Sequence, residues 1–498
     1  MIPLRGAHGS VSLLVALLAG SASVFAFAPF GAFPLALLSL VVLAWLLSRA
    51  ERRRDGFLLG FAWGFGAFAV GISWLFVALN RYGGMPVPLA AIAIALFCAY
   101  LALYPALAGV LFVRLRTGGV VLQAALFAAL WIAAEGLRGW VFTGFPWLSI
   151  GYSQTPPSPL AGWLPLLGVY GVGGLLALVA ALAAFAPWRR LREAAPAAGL
   201  IIMLLVAGFA LGHVSWTQPE GEPMRVALVQ TNIAQELKWQ PEHVQDWLEL
   251  NRRLSDVPDA DLVVLPESTL PMLADRLPEG YVEGLASRAE ANGADLLFGV
   301  FLSDAQGHVF NATASLGASP SQSYAKRHLV PFGEYSPPLF GWFYELADIP
   351  MSDQTPGPAG QQPLHLGGQR IAVNICYEDL FGRELLYSLP AASLMLNVSN
   401  LAWYGHSLAQ PQHLQIARVR ALETGRPMLR ATNTGMTAVV QPDGSVTGVL
   451  PQFERGVLRA EVTGFTGMTP YARWGDWLMF LLAAAVLGLL VLRQRDRA

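Results

Sequence analysis

The sequence predicts a two-part protein: a polytopic α-helical membrane domain of about eight spans, and an exported α/β domain. Three observations predict it. Of 498 residues, 54% are hydrophobic and only 13% charged, against about a quarter charged in an ordinary soluble domain. Acids are sparse early: residues 1–215 hold only Glu51, Asp55, Glu135 and Glu193, leaving 33 − 4 = 29 for the rest. Long apolar runs fill the first part, and short strand-like runs fill the second. A wholly soluble enzyme is thereby excluded. So is a nucleic-acid binder, because Lys+Arg is 32 against Asp+Glu 33 and no basic excess exists to meet phosphates.

A spanning helix needs about 20 largely apolar residues. Such runs lie near 10–28, 33–49, 57–79, 87–113, 119–142, 160–187 and 197–215, with an eighth near 475–492. The domains expected are therefore 1–215 (membrane, seven helices), 216–473 (exported) and 474–498 (final helix and cytoplasmic tail). Orientation follows from arginine placement. Arg49 and Arg52–Arg54 follow the second run, Arg114 and Arg116 the fourth, and Arg189, Arg190 and Arg192 the sixth; Arg493, Arg495 and Arg497 occupy the tail. The alternate loops are basic-poor, with only Arg81 between Asn80 and Pro88. An even number of spans with both ends cytoplasmic fits this pattern, and it puts 216–473 outside the cytoplasm, in the periplasm if the source is a bacterium. The first run also admits a reading as a cleaved signal peptide, which would spoil the even count. Glu135, within the fifth run, reads either as an intramembrane functional carboxylate or as a local partner of Arg138.

In the second part, buried-strand runs recur at 225–230, 262–265, 295–300, 371–375 and 394–398, with further strands near 427–431 and 436–441. Amphipathic helices are expected at 241–254, 279–291 and 408–425, and alternation of this kind predicts a layered α/β architecture. Residues 356–363 read as a loop. The chain has two cysteines, Cys98 in the fourth run and Cys376 in the exported domain. A lone exported thiol has no disulfide partner in its own domain, so reactivity competes with a buried structural role. Cys376 closes a strand run, where α/β sheets present catalytic groups. Glu267 follows another, Leu262–Leu265. Only Lys238 and Lys326 are lysines, against 32 − 2 = 30 arginines, which suggests a site needing a compact ammonium, although a GC-rich genome also favours arginine.

The blocks Leu265-Pro266-Glu267-Ser268, Tyr324-Ala325-Lys326-Arg327-His328 through Glu334, and Asn374-Ile375-Cys376-Tyr377-Glu378 resemble the Glu, Lys and Cys blocks of the nitrilase (carbon–nitrogen hydrolase) superfamily. Asn397–Gly405 and Arg430–Gly435 fit its later blocks, and the multi-span flanks resemble the bacterial apolipoprotein N-acyltransferase family. The resemblance implies an αββα sandwich on a helical base, with Glu267, Lys326 and Cys376 as a catalytic triad. It implies Glu334 as the residue orienting the ammonium, Tyr377 and Glu378 as supporting residues, and Trp239 as a lid, a core tryptophan being the alternative. The aromatic stretch Pro337–Tyr344, with Phe340, Trp342 and Phe343, is expected to dip into the interface or line an acyl channel; packing on membrane helices is its bland reading. The outer loop Thr143–Leu148 is a further candidate wall.

The reaction implied is acyl transfer in two steps, from a phospholipid donor through a Cys376 thioester to the terminal amine of a diacylated apolipoprotein. Neither cofactor nor metal is called for, because no metal-ligand spacing or phosphate loop is present. Membrane lipid is the remaining partner, no nucleic acid is expected, and the protein is read as a monomer. The nearest rival is a membrane-anchored amidase of the same superfamily, for which one anchor would suffice. A transporter predicts more ionisable residues in mid-membrane than Glu135 and Arg138.

Overall fold

The computed structural model describes residues 7–336 and 353–495. The chain forms two compact units. One comprises Met1–Leu75, Pro88–Val214 and Arg473–Ala498; the other comprises Phe76–Val87 and Ser215–Ala472.

The first unit is helical: α1 (Ala7–Ser23), α2 (Pro34–Arg49), α3 (Arg53–Gly71), α4 (Val87–Leu115), α5 (Val120–Arg138), α6 (Leu164–Phe185), α7 (Leu191–Leu211) and a final helix Trp477–Arg495. Every expected apolar run carries a helix, but the span count is lower than eight. Five helices among the described residues are long and apolar enough to cross a membrane, or six if Arg53–Gly71 and Leu75–Tyr82, bent by 61°, form one span. Pro34–Arg49 and Trp477–Arg493 are shorter apolar helices, below the length that matches a hydrocarbon core at 1.5 Å per residue. Two of the expected runs, 33–49 and 475–492, are themselves shorter than about 20 residues, and a third is broken between Gly71 and Leu75.

Helices approach closely where side chains are absent. A Cβ on Gly56 of α3 would stand 2.5 Å from the Gly109 carbonyl oxygen of α4, so glycine sets that crossing. Arg116 donates to the carbonyls of Leu47, Ser48 and Ala50, capping the α2 C-terminus and bringing two of the arginine-bearing loops together. Glu135 and Arg138 are 3.9 Å apart, yet their closer partners lie in the loop beyond α5. Glu135 accepts from the Ile150 N–H at 2.7 Å, and Arg138 donates to Trp147 O at 2.7 Å and Ser149 Oγ at 3.0 Å. The two charges thus fasten that loop, and within it Trp147 and Leu148 are buried.

The second unit contains β1 (Thr217–Gln230), β2 (Leu262–Val264), β3 (Asp295–Ser303), β4 (Val309–Gly317), β5 (Ser323–Ala325), β6 (Leu364–Leu366), β7 (Gln369–Ile375), β8 (Leu394–Ser399), β9 (Met428–Thr432), β10 (Ala438–Val440), β11 (Val446–Val449) and β12 (Gly456–Gly467). They form two six-stranded sheets, ordered β12-β1-β2-β3-β4-β5 and β11-β10-β9-β8-β7-β6. Within them β1, β2 and β3 are parallel, as are β7, β8 and β9. Alternation explains the layering. Val226, Leu228, Leu262 and Val264 enter one core with Ile371, Val373, Leu394 and Leu396 of the other sheet. Their neighbours Ala227, Val229 and Val263 face outward to Leu248 of α8 (Val244–Ser255) and Leu285 of α9 (Tyr281–Ala291). Ala372 and Met395 face Leu414 and Ala417 of α10 (Ala409–Thr424). Two sheets face to face with helices outside make an αββα sandwich.

Gly299 of β3 marks where the first sheet presses on the Glu267 segment: a Cβ there would lie 2.4 Å from Ser268 N and 2.6 Å from Pro266 O. Gly299→Ala should therefore lower folding stability by about 1–3 kcal/mol and displace Glu267. A thermal-unfolding midpoint equal to that of the parent protein would contradict this account.

Candidate active site

Parallel strands deliver their side chains at their C-terminal ends, and Glu267 and Cys376 sit there. Glu267 follows β2, and Ser268 after it has φ 49°. Cys376 directly follows β7 with φ 54°. Left-handed backbone at a non-glycine residue costs on the order of 1 kcal/mol and needs support; it also turns the side chain off the strand axis. Lys326 directly follows β5, its amide bonded to Asn311 O at 2.7 Å and its carbonyl accepting from Gly357 N at 2.7 Å.

Lys326 is buried with its ammonium between two carboxylates, 2.7 Å from Glu334 Oε1 and 3.4 Å from Glu267 Oε1. Asn311 Nδ2 donates to both, at 2.8 Å to Glu267 Oε1 and 3.2 Å to Glu334 Oε1. The other oxygens are met by backbone: Asn400 N donates to Glu267 Oε2 at 2.7 Å, and Val330 N to Glu334 Oε2 at 2.7 Å. Burial is the largest influence on Lys326 and opposes its charge, but Glu334 and Glu267 outweigh it and hold its pKa well above the ordinary value. The charged form of Lys326 is thereby favoured.

The thiol behaves differently. Burial, followed by the negative charge of Glu267, outweighs Lys326 and pushes the Cys376 pKa well above its ordinary value. Two carboxylates face one ammonium, and the balance favours the neutral thiol at rest. Sulfur must lose its proton as it attacks, and Glu267 is the carboxylate whose charge bears most strongly on it.

Glu378 bolts the Lys and Cys segments together. Its carboxylate accepts from Ile375 N at 2.7 Å, Arg327 N at 2.7 Å, His328 N at 3.1 Å and the Tyr324 hydroxyl at 3.0 Å. Tyr377 packs instead toward Phe381, ring centroids 5.1 Å apart, and His328. Trp239 packs at a tilt against Phe301, ring centroids 5.8 Å apart, and Phe340, Trp342 and Phe343 lie outside the described residues. Sequence reasoning missed Asn311, because its strand was not foreseen. It also missed a buried cluster behind the Cys376 turn: Asp379 holds His413 Nε2 at 2.6 Å and Arg430 Nη1 at 2.9 Å, while Arg430 Nη2 meets His413 Nδ1 at 3.0 Å. Arginine can only donate, so Nδ1 accepts and His413 is neutral; burial lowers its pKa in agreement. Asn397 Nδ2 donates to Cys376 O at 3.0 Å and steadies the left-handed turn. Tyr404 also belongs to the surroundings: burial raises its phenol pKa, and Cys376, Lys326, Glu267 and Glu334 all bear on it. No group of His, Cys, Asp and Glu able to hold a metal occurs among the described residues.

Comparison with known proteins places the chain. A family profile for the apolipoprotein N-acyltransferase N-terminal domain matches residues 19–182, and one for carbon–nitrogen hydrolases matches 225–471. The chain is 45% identical over 489 residues to the apolipoprotein N-acyltransferase of Nitrosomonas europaea, covering 97% of each. The chain belongs to the apolipoprotein N-acyltransferase family. The family's enzyme from Chromobacterium violaceum is 44% identical, covering 97% of this chain and 94% of its own. Among solved structures, the chain is similar to an amidase of Nesterenkonia AN1 from the nitrilase superfamily, with 21% identity and TM-score 0.36 over 51% of this chain and 95% of that one. Membership in the N-acyltransferase family makes the chain an acyl-transferring enzyme with a membrane-embedded part.

Because Glu378 is acceptor-only and its four partners all donate, Glu378→Gln turns an amide N–H₂ toward donors. Stability should fall by about 2–3 kcal/mol and acyl transfer should fall with it. Unchanged unfolding and unchanged transfer together would remove the fastening role.

Proposed function

We propose that the protein moves the sn-1 acyl chain of a phospholipid, through a thioester on Cys376, to the α-amine of the diacylglyceryl-cysteine that begins a lipoprotein. The observation that carries this reading is the buried Lys326 ammonium held by Glu267 and Glu334 among strand ends that include the Cys376 turn. As the sulfur attacks the ester carbonyl, Glu267 takes its proton. Lys326 donates to the oxyanion of the tetrahedral intermediate, a preorganised charge that water could not supply. Collapse forms the thioester, breaks the ester C–O bond and returns the proton from Glu267 to the departing lysophospholipid oxygen. The acceptor amine then attacks the thioester and Glu267 takes its proton. The amide forms, the C–S bond breaks and the thiol is re-formed. Thioester-to-amide transfer runs downhill, so the cycle calls for neither cofactor nor metal.

Both substrates are lipids that stay in the bilayer, which fits a catalytic unit joined to apolar helices. The arginine distribution supports an inner-membrane protein with residues 216–473 in the periplasm, acting as a monomer on membrane lipid. The aromatic stretch Pro337–Tyr344 and Trp239 are the proposed acyl-chain contacts.

Three outcomes test this reading. Incubation with labelled phospholipid should place one acyl chain on Cys376 by mass spectrometry, and a diacylated lipopeptide should discharge it; Cys376→Ala should carry none, and label on that variant would overturn the nucleophile. Lys326→Arg should lose at least about a hundredfold in transfer, since a planar guanidinium does not replace a point donor between two carboxylates. An impermeant maleimide applied to whole cells should reach Cys376 from outside the cytoplasmic membrane, and reaction only from within would reverse the topology.

A further inference from the structure

The chain retains lysine at two positions among 30 arginines, and both side chains are buried to 1% exposure. Lys326 has its place between carboxylates. Lys238 has no carboxylate within salt-bridge distance among the described residues; its Nζ donates to the Glu267 carbonyl oxygen at 3.2 Å and lies 6.0 Å from the Trp239 ring centroid. It ends the short turn Gln235–Lys238, whose Gln235 Oε1 accepts from Asn400 Nδ2 at 2.9 Å. Asn400 in turn gives its amide to the Glu267 carboxylate. Both ends of this turn therefore bear on Glu267, one on its peptide and one, through Asn400, on its side chain. The peptide that Lys238 grips joins Glu267 to the left-handed Ser268.

Charge gives a second argument. Glu267 and Glu334 against Lys326 sum to one negative charge beside a thiol that must itself become negative. A buried anionic excess opposes that change, and the opposition is strong at low local dielectric. An ammonium at Lys238 brings the sum to zero.

We propose that Lys238 is a positioning residue of the active site, anchoring the Glu267 peptide and supplying the positive charge that balances Glu267, Lys326 and Glu334 during acyl transfer. This rests on the Glu267–Lys326–Cys376 reading above. Burial, offset only in part by Glu267, lowers the Lys238 pKa from 10.5 to about 8, so its charge is titratable under conditions where the protein can be assayed. Glu267 is the ionisable group that faces it; Glu236, on the same turn, is engaged by Arg81.

The experiment uses the full-length protein in detergent micelles with isotopically labelled lysine, whose two side-chain signals are followed by NMR against pH. One signal should titrate near pH 8, and the single-turnover rate of acyl transfer from labelled phospholipid to Cys376 should fall across the same interval. Lys238→Met should lower that rate about tenfold or more and remove this limb. Lys238→Arg, charged at every pH tested, should retain more activity than the Met variant and extend the plateau to higher pH. A purely structural lysine predicts the opposite trend. Its pKa is lower folded than unfolded, so between pH 8 and 10.5 the unfolded chain binds more protons and stability rises with pH. A falling rate there is not unfolding. The proposal is overturned if neither lysine signal titrates near pH 8, or if a folded Lys238→Met variant keeps the parent rate. Should the Met variant fail to fold, the parent titration and the Arg variant still decide. Absence of acyl chain on Cys376 in the parent protein would instead fail the triad itself.

Discussion

The ammonium of Lys326, buried between Glu267 and Glu334, is the interaction on which the site depends. Taking a lysine charge out of water costs several kcal/mol, and the position is tenable only because each carboxylate oxygen nearby is met. Asn311 bridges Glu267 and Glu334, and the amides of Asn400 and Val330 hold the remaining oxygens. Every one of these donors comes from a different segment, so the ammonium fixes the relative positions of β4, the end of β8 and the turn after β5. A charge that organises its surroundings this tightly need not rearrange when an oxyanion forms beside it.

Burial and the negative charge of Glu267, outweighing Lys326, keep the nucleophile a thiol at rest. A thiolate at rest would be exposed to oxidation and to stray electrophiles. Raising its pKa while keeping Glu267 at hand ties ionisation to the arrival of a carbonyl. The left-handed turn at Cys376 is held by Asn397 from one side and by the Glu378 carboxylate from the other, so the strain there is distributed over the loops that also carry Lys326.

What could be read from the sequence follows the physics of strand burial. The strands foreseen from apolar runs include β1, β2, β3, β7, β8 and β9, the parallel members of the two sheets. Parallel strands covered on both faces read as near-continuous apolar stretches, and they are also the ones that end at Glu267 and Cys376. The strands not foreseen, β4, β5, β6, β11 and β12, all pair antiparallel and carry polar residues such as Asn311, Thr313, Arg459 and Glu461. Lysine scarcity pointed at the cluster, yet Asp379, His413 and Arg430 are too far apart in the chain for any spacing to reveal their contact. Span counting differs for another reason: the runs 33–49 and 475–492 are nearly wholly helical yet short for a bilayer, and the run 57–79 is interrupted. At Ile72–Trp74 the apolar run continues although the helix stops.

That break has a structural consequence. Beyond it, Phe76–Val87 belongs to the catalytic unit, where Tyr82 sets its ring edge-on to Trp403, centroids 5.9 Å apart, and Arg81 pairs with Glu236. The catalytic fold is thus discontinuous in sequence, completed by a peptide synthesised well before the rest of it. Excising residues 215–472 as a soluble fragment would strip a finished surface from Trp403 and Glu236, so truncation at the obvious junction yields an incomplete enzyme.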